Sequence, residues 1–175
     1  MSTHRIGLSL EAAADALSDF KGTGRRFDIR GESDGILVID DYAHHPTEIR
    51  AVLSAARMRY PDKEIWTVWQ PHTFSRTRVL AHEFMQAFSD ADHVLVTEIY
   101  PSRESQPADG YSAVQVVKLM DHPDVHFIPD APLVTTYLLA HLKRDDVLLV
   151  LSAGDADQIS TNVLTALEER EHSHV

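Results

Sequence analysis

The chain has 175 residues, of which 43% are hydrophobic, and this is enough for one ordinary domain with a substantial apolar core. Its formal net charge of −11 argues against a nucleic-acid backbone or an anionic membrane surface as the main partner. The absence of cysteine excludes disulfides and thiolate metal sites. No apolar run approaches the roughly 18 residues that a membrane helix needs and no signal peptide is evident, so we expect a cytoplasmic protein.

Apolar periodicity predicts strands and helices in alternation along the chain. Strands are predicted at 25–30, 36–39, 65–69, 94–96, 125–128 and 147–151. Helices are predicted from Ser9 to about Gly22, from Pro46 to about Tyr60, and around the apolar sets Leu80/Phe84/Phe88, Ala113/Val116/Val117/Met120, Val134/Leu138/Leu142 and Ile159/Val163/Leu167.

The connections between these elements set the fold class. Residues 31–35 are predicted as a turn, 70–78 as a polar loop, and 100–110 as a long surface or site-lining loop with two prolines. No hairpin signal follows Asp41, and strands alternate with helices from there on. We therefore predict a single α/β domain over residues 1–175, with its core at about 8–170 and a doubly wound, mainly parallel sheet covered by helices on both faces.

A dense polar stretch, residues 40–48, follows the strand at 36–39. It reads Asp-Asp-Tyr-Ala-His-His-Pro-Thr-Glu and leads directly into a helix that Pro46 opens. Open α/β sheets bind ligands outside the carboxyl ends of their strands, so we expect chemistry here. One interpretation is that Asp41 and His45 only cap the helix while His44 is solvated. The other is that Asp41 accepts from a ribose or orients a cation, while Tyr42 or an imidazole contacts substrate.

A second polar stretch, residues 70–78, follows the strand at 65–69 and reads Gln-Pro-His-Thr-Phe-Ser-Arg-Thr-Arg. Arginine suits carboxylate or phosphate because its planar fork donates two parallel hydrogen bonds. The alternative is that Ser75 caps the next helix and both arginines are solvated. Arg25 and Arg26 leave a similar choice between a solvated edge and a contact with phosphate across a cleft.

Residues 152–155, Ser-Ala-Gly-Asp after the last strand, have the composition of a phosphate-binding turn, although one glycine is a weak fingerprint. The chain contains neither G-x-G-x-x-G nor G-x-x-x-x-G-K-[ST]. It therefore has no P-loop of its own for a nucleoside triphosphate.

Together with 24–28, Gly-Arg-Arg-Phe-Asp, the stretches at 40–48 and 70–78 closely resemble the C-terminal domain of the Mur ligases in order and spacing. The resemblance covers about Leu8 to Arg170. It implies a dinucleotide-binding-like fold and a place in a three-domain enzyme, whose UDP-sugar and central P-loop ATPase domains are absent from this chain. Two departures from other members are Thr73, where some carry arginine, and residues 152–157, where others read Gly-Ala-Gly.

The resemblance also implies a reaction. ATP phosphorylates the carboxyl of UDP-N-acetylmuramate to an acyl phosphate, the amine of L-alanine attacks it, and phosphate leaves. Mg²⁺ and preorganised cations offset the charge on the reacting oxygens, and domain closure excludes water. ATP and Mg²⁺ would be held mainly by the absent central domain, and this chain alone would be inactive.

Roles are carried over residue by residue from the resemblance. Arg26 would lie near the ATP phosphates and Asp41 at its ribose. The amino-acid side of the cleft would be lined by Tyr42, His44, His72 and Arg76, with Arg76 the partner for a carboxylate. No catalytic base and no metal ligand is assigned.

Three alternatives stay open from the sequence. The first is the ligase that recycles a whole murein tripeptide, whose second loop resembles Glu-Pro-Arg-Ser-Asn instead of the stretch found at 70–78. The second is a stand-alone binding or regulatory module without catalytic partner domains. The third is a metal hydrolase that uses His44, His45, His72 and Asp41, although adjacent imidazoles lack the usual one-turn ligand spacing on a helix.

Overall fold

A computed structural model of the protein describes residues 25–173. The predicted helix from Ser9 to Gly22 therefore lies outside the described residues. Within them, the strands are β1 Asp28–Ser33, β2 Ile36–Asp41, β3 Ile65–Gln70, β4 His93–Val96, β5 Val125–Phe127 and β6 Val147–Ser152. The helices are α1 Pro46–Arg59, α2 Phe74–Val79, α3 Ala81–Met85, α4 Ala113–Val117, α5 Ala131–His141 and α6 Asp157–Ser173.

The strands form one sheet in the order β1-β2-β6-β3-β4-β5. β1 pairs antiparallel with β2, and every other pairing is parallel. All residues of β2, β3 and β6 are buried, as expected for parallel strands covered on both faces. The predicted doubly wound, mainly parallel fold is confirmed.

Helices cover both faces of this sheet. On one face, α1 packs its buried Ile49, Leu53 and Ala56 in a core that also contains Phe84 of α3 and Val116 of α4. On the other face, α5 and α6 bury the apolar positions predicted for them: Val134, Leu138, Ile159, Val163 and Leu167. The helix predicted from Pro46 to about Tyr60 is confirmed as α1, with Tyr60 as its C-cap.

The first strand differs from its predicted range of 25–30. It begins only at Asp28, because Arg25 and Phe27 have positive φ angles of 64° and 45°, which a β-strand does not accommodate. It then continues to Ser33, so the turn consists of Asp34 and Gly35 alone, with φ angles of 48° and 71°. Positive φ at both central residues is the signature of a tight hairpin turn, for which Asp-Gly is a preferred pair.

The polar loop predicted at 70–78 is also shorter than expected. Gln70 still belongs to β3, and α2 begins at Phe74, so only three residues connect them. The next helix is interrupted at Leu80, and α3 continues from Ala81. The predicted inward residues Phe84 and Phe88 are buried, and both rings lie against Trp69, with centroids 4.5 and 5.2 Å away.

No helix within residues 25–173 is both long and apolar enough to cross a membrane.

Candidate functional site

Four neighbouring strands of the sheet, β2, β6, β3 and β4, run parallel and end on the same edge. The polar stretches at 41–48, 70–78 and 152–157 and the start of the 100–110 loop therefore meet there. This is the edge at which open α/β sheets bind ligands. We call it the carboxyl-end rim.

Asp41 organises the loop after β2. It is 2% exposed, and its Oδ2 accepts the N–H of Phe27 while its Oδ1 accepts the N–H of Ala43, both at 2.7 Å. The interpretation of Asp41 as a cap of α1 is therefore wrong, because these amides belong to the segment before β1 and to the loop itself. Asp41 thereby fixes Arg25 and Arg26 relative to Tyr42 and His44.

His45 is the N-cap of α1. Its Nδ1 accepts the N–H of Thr47 at 3.3 Å, and Glu48 accepts the N–H groups of His44 and His45 at 3.1 and 3.2 Å. Burial would raise the pKa of Glu48, but these two amides, with His44 and Arg26, bring it below its ordinary value. Glu48 is thus an anion beside the rim, 3.8 Å from Nη1 of the half-exposed Arg26.

Four rings form a continuous series along the rim, which we call the aromatic row: Tyr42, His44, His72 and Tyr100. Tyr42 meets His44 edge-on with centroids 5.3 Å apart, His44 lies 5.9 Å from His72, and His72 stacks on Tyr100 at 5.7 Å and 24°. The row joins the loops after β2, β3 and β4. Residues far apart in sequence therefore share one surface.

Arg76 lies beside this row, on α2. Its Nη1 is 3.2 Å from Nδ1 of His72. An arginine can only donate, so Nδ1 of His72 must be the acceptor and Nε2 carries the proton of the neutral ring. Burial, the Arg76 cation and His44 hold the pKa of His72 below its ordinary value, while Glu104 opposes them. His72 is thus a neutral imidazole with an Nε2–H donor at neutral pH.

His44 has the opposite arrangement. Its Nδ1 is 2.9 Å from the carbonyl oxygen of Tyr42 and 3.6 Å from Oε2 of Glu48. Both neighbours can only accept, so Nδ1 carries a proton and Nε2 of the neutral ring has a free lone pair. The two rings of the aromatic row therefore present one donor and one acceptor.

The 100–110 loop braces α2 and so holds Arg76 in place. Ser75 donates to Glu104 through both its amide and its hydroxyl. Arg78 donates to both oxygens of Asp109, at 2.9 and 2.8 Å, and its guanidinium lies 4.4 Å from the ring centroid of Tyr111. Ser75 is therefore not a helix cap and Arg78 is not merely solvated, contrary to the alternative considered for this stretch.

Thr73 is the N-cap of α2 but makes no side-chain cap bond, and its φ angle is 65°. A positive φ is rare for a β-branched residue and costs free energy. The conformation is held by hydrogen bonds on both sides, because Thr73 donates its N–H to Tyr100 O at 2.9 Å and its carbonyl accepts Thr77 N–H at 3.1 Å. The residues on either side of it, His72 and Arg76, come together at 3.2 Å.

The turn after β6 does not have the predicted character of a phosphate site. Oε1 of Gln70 accepts from the Ser152 hydroxyl at 2.7 Å and from the N–H groups of Asp155 and Ala156 at 3.1 and 3.2 Å. The N–H of Gly154 donates to the Ser152 hydroxyl. The amides that would have received a phosphate are already bonded within the fold.

Tyr100 is a rim residue that sequence reasoning assigned only to a loop. Its ring lies on the bare backbone of Gly154, where an added Cβ would be 2.6 Å from Tyr100 Cγ and 2.4 Å from Gln70 Oε1. Such distances leave no room for a side chain at this position. Gly154 within the Ser-Ala-Gly-Asp turn was the available signal, but the pattern does not identify the ring that packs on it.

Arg25 also belongs to the rim. Its Nη2 donates to the carbonyl of Ser152 at 2.7 Å, and its guanidinium lies 5.6 Å from the ring centroid of Tyr42. It thus links the loop before β1 to the end of β6 and supports one end of the aromatic row. Arg26 is the more exposed of the pair and points toward Glu48, as described above.

The metal-hydrolase alternative has no donor set in the described part of the chain. Across residues 25–173, no group of three or more His, Cys, Asp or Glu side chains is placed to hold one metal ion. His45 and Asp41, two of the four residues considered, are engaged with backbone amides instead.

The profile of the family described as "Mur ligase, glutamate ligase domain" matches residues 25–154. The chain belongs to the Mur ligase family, as its C-terminal domain. Among curated relatives, the UDP-N-acetylmuramate–L-alanine ligase of Roseiflexus castenholzii is 43% identical over 93% of this chain and 34% of its own length. The domain thus spans about a third of the length of the curated relatives it matches.

Solved structures of Mur ligases share the fold. A murein peptide ligase from Psychrobacter arcticus superimposes with a TM-score of 0.73 at 27% identity, covering 94% of this chain and 34% of that chain. The UDP-N-acetylmuramate-alanine ligase of Thermotoga maritima gives a TM-score of 0.68 at 28% identity, covering 98% and 35%.

The structure brings together the residues predicted for the amino-acid side of the cleft: Tyr42, His44, His72 and Arg76. Arg26 and Asp41 lie on the adjoining loops, next to Glu48 and Ala43 respectively. What each residue binds stays a prediction.

Proposed function

We propose that this chain is the amino-acid-binding C-terminal domain of a cytoplasmic, ATP-dependent ligase that joins L-alanine to UDP-N-acetylmuramate through an acyl phosphate in peptidoglycan synthesis. The observation that carries the proposal is the setting of Arg76. It lies beside a neutral imidazole, and no carboxylate within residues 25–173 is at ion-pair distance from it. The Roseiflexus castenholzii relative named above, 43% identical, is an alanine ligase, which supports this choice of acceptor.

In this proposal, Arg76 holds the carboxylate of L-alanine with two parallel hydrogen bonds. The neutral His72 donates from Nε2 to an oxygen of the acceptor or of the acyl phosphate. Tyr42 and His44 form the rest of the wall, and their faces exclude water from an intermediate that would otherwise hydrolyse. The proposed domain is one half of a cleft that a UDP-sugar domain and a central ATPase domain complete.

ATP would be held mainly by the central domain, with Arg26 near its phosphates and Asp41 near its ribose. The half-exposed guanidinium of Arg26 suits a phosphate contact because its only ion-pair partner among the described residues is Glu48, 3.8 Å away. Asp41 already accepts two amides, so a ribose contact would use its remaining lone pairs. Mg²⁺ would neutralise charge on the phosphates, but the described residues provide no cluster for it.

The experiment compares this chain with the full-length enzyme. With ATP, Mg²⁺, UDP-N-acetylmuramate and L-alanine, we expect phosphate release and ligated product from the full-length enzyme and none from the 175 residues alone. Measurable ATP-dependent ligation by the chain alone would contradict the proposal. Absence of ligation by the full-length protein with any acceptor would instead favour a binding or regulatory module.

A second candidate is the ligase that attaches a whole murein tripeptide, and the superposition on the Psychrobacter arcticus murein peptide ligase favours it. The full-length enzyme separates the two candidates directly, by its kcat/KM for L-alanine against that for the tripeptide. We expect alanine to be preferred. A preference for the tripeptide would assign the domain to the recycling enzyme without changing its fold or its ATP chemistry.

A further inference from the structure

We propose that His44 is the catalytic base that takes the proton from the attacking amine, while His72 is only a hydrogen-bond donor. This inference rests on the proposed function, because it concerns the same acceptor amine. It assigns different tasks to two histidines that the sequence treats alike.

The hydrogen bonds of the two rings lead to this division. His44 donates from Nδ1 to the Tyr42 carbonyl at 2.9 Å, which leaves Nε2 with a lone pair that no described residue uses. His72 accepts from Arg76 at Nδ1, which leaves Nε2–H as a donor. Only the first arrangement can accept a proton from substrate without breaking a hydrogen bond.

Several charged and polar side chains surround His44. Glu48 Oε2 lies 3.6 Å from Nδ1, on the side away from the free nitrogen. An anion there orients the ring and stabilises the imidazolium that forms when Nε2 takes a proton. Facing it are His72 of the β3–α2 connection, 5.9 Å away between centroids, and Arg76 of α2 beyond it. Arg26 reaches Glu48 from the other side at 3.8 Å.

His45, the neighbouring imidazole, cannot take the same role. Its Nδ1 accepts from the N–H of Thr47 as the N-cap of α1, and its side chain is exposed. It is not part of the aromatic row. The pair His44-His45 thus divides into one ring at the site and one ring that begins the helix.

In the proposed step, the ammonium of L-alanine transfers one proton to Nε2 of His44, and the freed lone pair forms a C–N bond with the acyl carbon. The C–O bond to the phosphoryl group then breaks, and the remaining extra proton on nitrogen leaves with the phosphate. His44 finally returns its proton to water. A base at such a position contributes a rate factor of about 10² to 10⁴.

The test uses the full-length enzyme with saturating ATP and UDP-N-acetylmuramate. His44→Ala should lower kcat with L-alanine by about 10² to 10⁴ at neutral pH, and the deficit should shrink as rising pH supplies free amine. Added imidazole should restore part of the rate. Hydroxylamine, an acceptor that is already neutral at neutral pH, should react at nearly the same rate in the variant and the wild type.

His45→Asn is the matched control, because asparagine keeps the N-cap while removing the adjacent imidazole. It should retain the wild-type kcat and pH profile. A uniform loss in His44→Ala at every pH, without imidazole rescue and with equal loss toward hydroxylamine, would overturn the assignment of His44 as the base. In that case a raised KM for alanine in His72→Ala and Arg76→Ala would leave the proposed function intact. Unchanged alanine kinetics in all three variants would refute the proposed function itself.

Discussion

Both ends of the sheet carry a cluster of histidines and aromatic rings, yet the two clusters differ in how their polar atoms are used. At the amino end, a cavity of about 460 Å³ is lined by Trp66, His93, Asp124, Tyr137 and His141, among others. At the carboxyl end, the cavity beside Tyr100 is smaller, about 350 Å³. A further cavity of about 520 Å³ lies beside Phe74, Ser75 and Arg78 at the carboxyl end, so cavity size does not distinguish the two ends.

At the amino end, both ring nitrogens of His93 are already paired. His93 contacts Asp124 through Nδ1 and Glu64 through Nε2 at 3.3 Å, while its ring stacks on Trp66 with centroids 3.8 Å apart. At the carboxyl end, His44 and His72 each have one ring nitrogen without a partner among residues 25–173. A cluster whose polar atoms are paired stabilises the fold, whereas one with unpaired atoms facing solvent is available to a ligand.

Apart from the loss proposed for His44→Ala, the largest effect is expected at Arg76. Arg76→Ala in the full-length enzyme should reduce kcat/KM for L-alanine by about 30- to 1000-fold, or about 2 to 4 kcal/mol, because a bidentate contact with a charged group is lost. Arg76→Lys should recover only part of this, since a lysine ammonium lacks the planar fork. Initial rates across a range of alanine concentrations measure both.

Arg50→Ala is the control for this prediction, because Arg50 is an exposed arginine of α1. Its kinetics should match the wild type. If Arg76→Ala kept the wild-type KM and kcat for alanine, the contrast between the two ends of the sheet would not extend to function.

A smaller effect is expected at Asp41, and it separates an organising role from a ribose contact. Asp41→Asn should lower the free energy of unfolding by about 2 kcal/mol, because asparagine offers one acceptor oxygen where two amides, of Phe27 and Ala43, need one each. Urea unfolding of the purified chain measures this. Asp62→Asn, a change at an exposed residue of the α1–β3 connection, should be neutral.

The same Asp41 variant in the full-length enzyme tests whether Asp41 contributes to ATP binding. If Asp41 fixes both the Arg25-Arg26 pair and the Tyr42 loop, the Asp41→Asn variant should have a higher KM for ATP and for alanine alike. A raised KM for ATP with unchanged stability would show instead that Asp41 acts on the nucleotide alone.

Much of the fold follows from local patterns. The apolar runs in β2, β3 and β6 have no alternation, which is typical of buried parallel strands, and Pro46 with apolar residues at helical spacing defines α1. The break between α2 and α3 at Leu80 could not be predicted from the sequence, because the apolar spacing from Leu80 to Phe84 and Phe88 continues as if one helix were present. The Asp34-Gly35 hairpin turn had a sequence signal, the Asp-Gly pair, that the turn prediction at 31–35 did not use.

The candidate site also combines features that the sequence predicts with features that it does not. Convergence of the strand ends follows from the parallel topology, so the meeting of Tyr42, His72 and Arg76 was predictable. The hydrogen bonds of the Gln70 side chain to the Ser152–Ala156 turn were not predictable, because its partners Asp155 and Ala156 lie 85 and 86 positions away in sequence. Likewise, the proton positions on His44 and His72 depend on a carbonyl and a guanidinium whose distances only the folded chain sets.

The smallest effect is expected at the amino end. His93→Ala should lower the free energy of unfolding by about 1 kcal/mol, because the stack on Trp66 and two partly exposed contacts with carboxylates are each worth little. Ligase activity of the full-length enzyme should not change. His82→Ala, at an exposed histidine of α3, should alter neither stability nor activity.

The stability difference made by His93→Ala should also depend on pH. The hydrogen bond from His93, followed by that from His126, brings the pKa of Asp124 below its ordinary value of 3.8, against the opposing effect of burial. A lowered carboxyl pKa stabilises the fold above 3.8, and this stabilisation is lost as the pH falls from there through the folded-state pKa. Urea unfolding at neutral pH and below 3.8 should therefore show the wild type and His93→Ala converging in acid. A gap that stayed constant would contradict the coupling between His93 and Asp124. A fall in ligase rate without loss of stability would place function at the amino end as well.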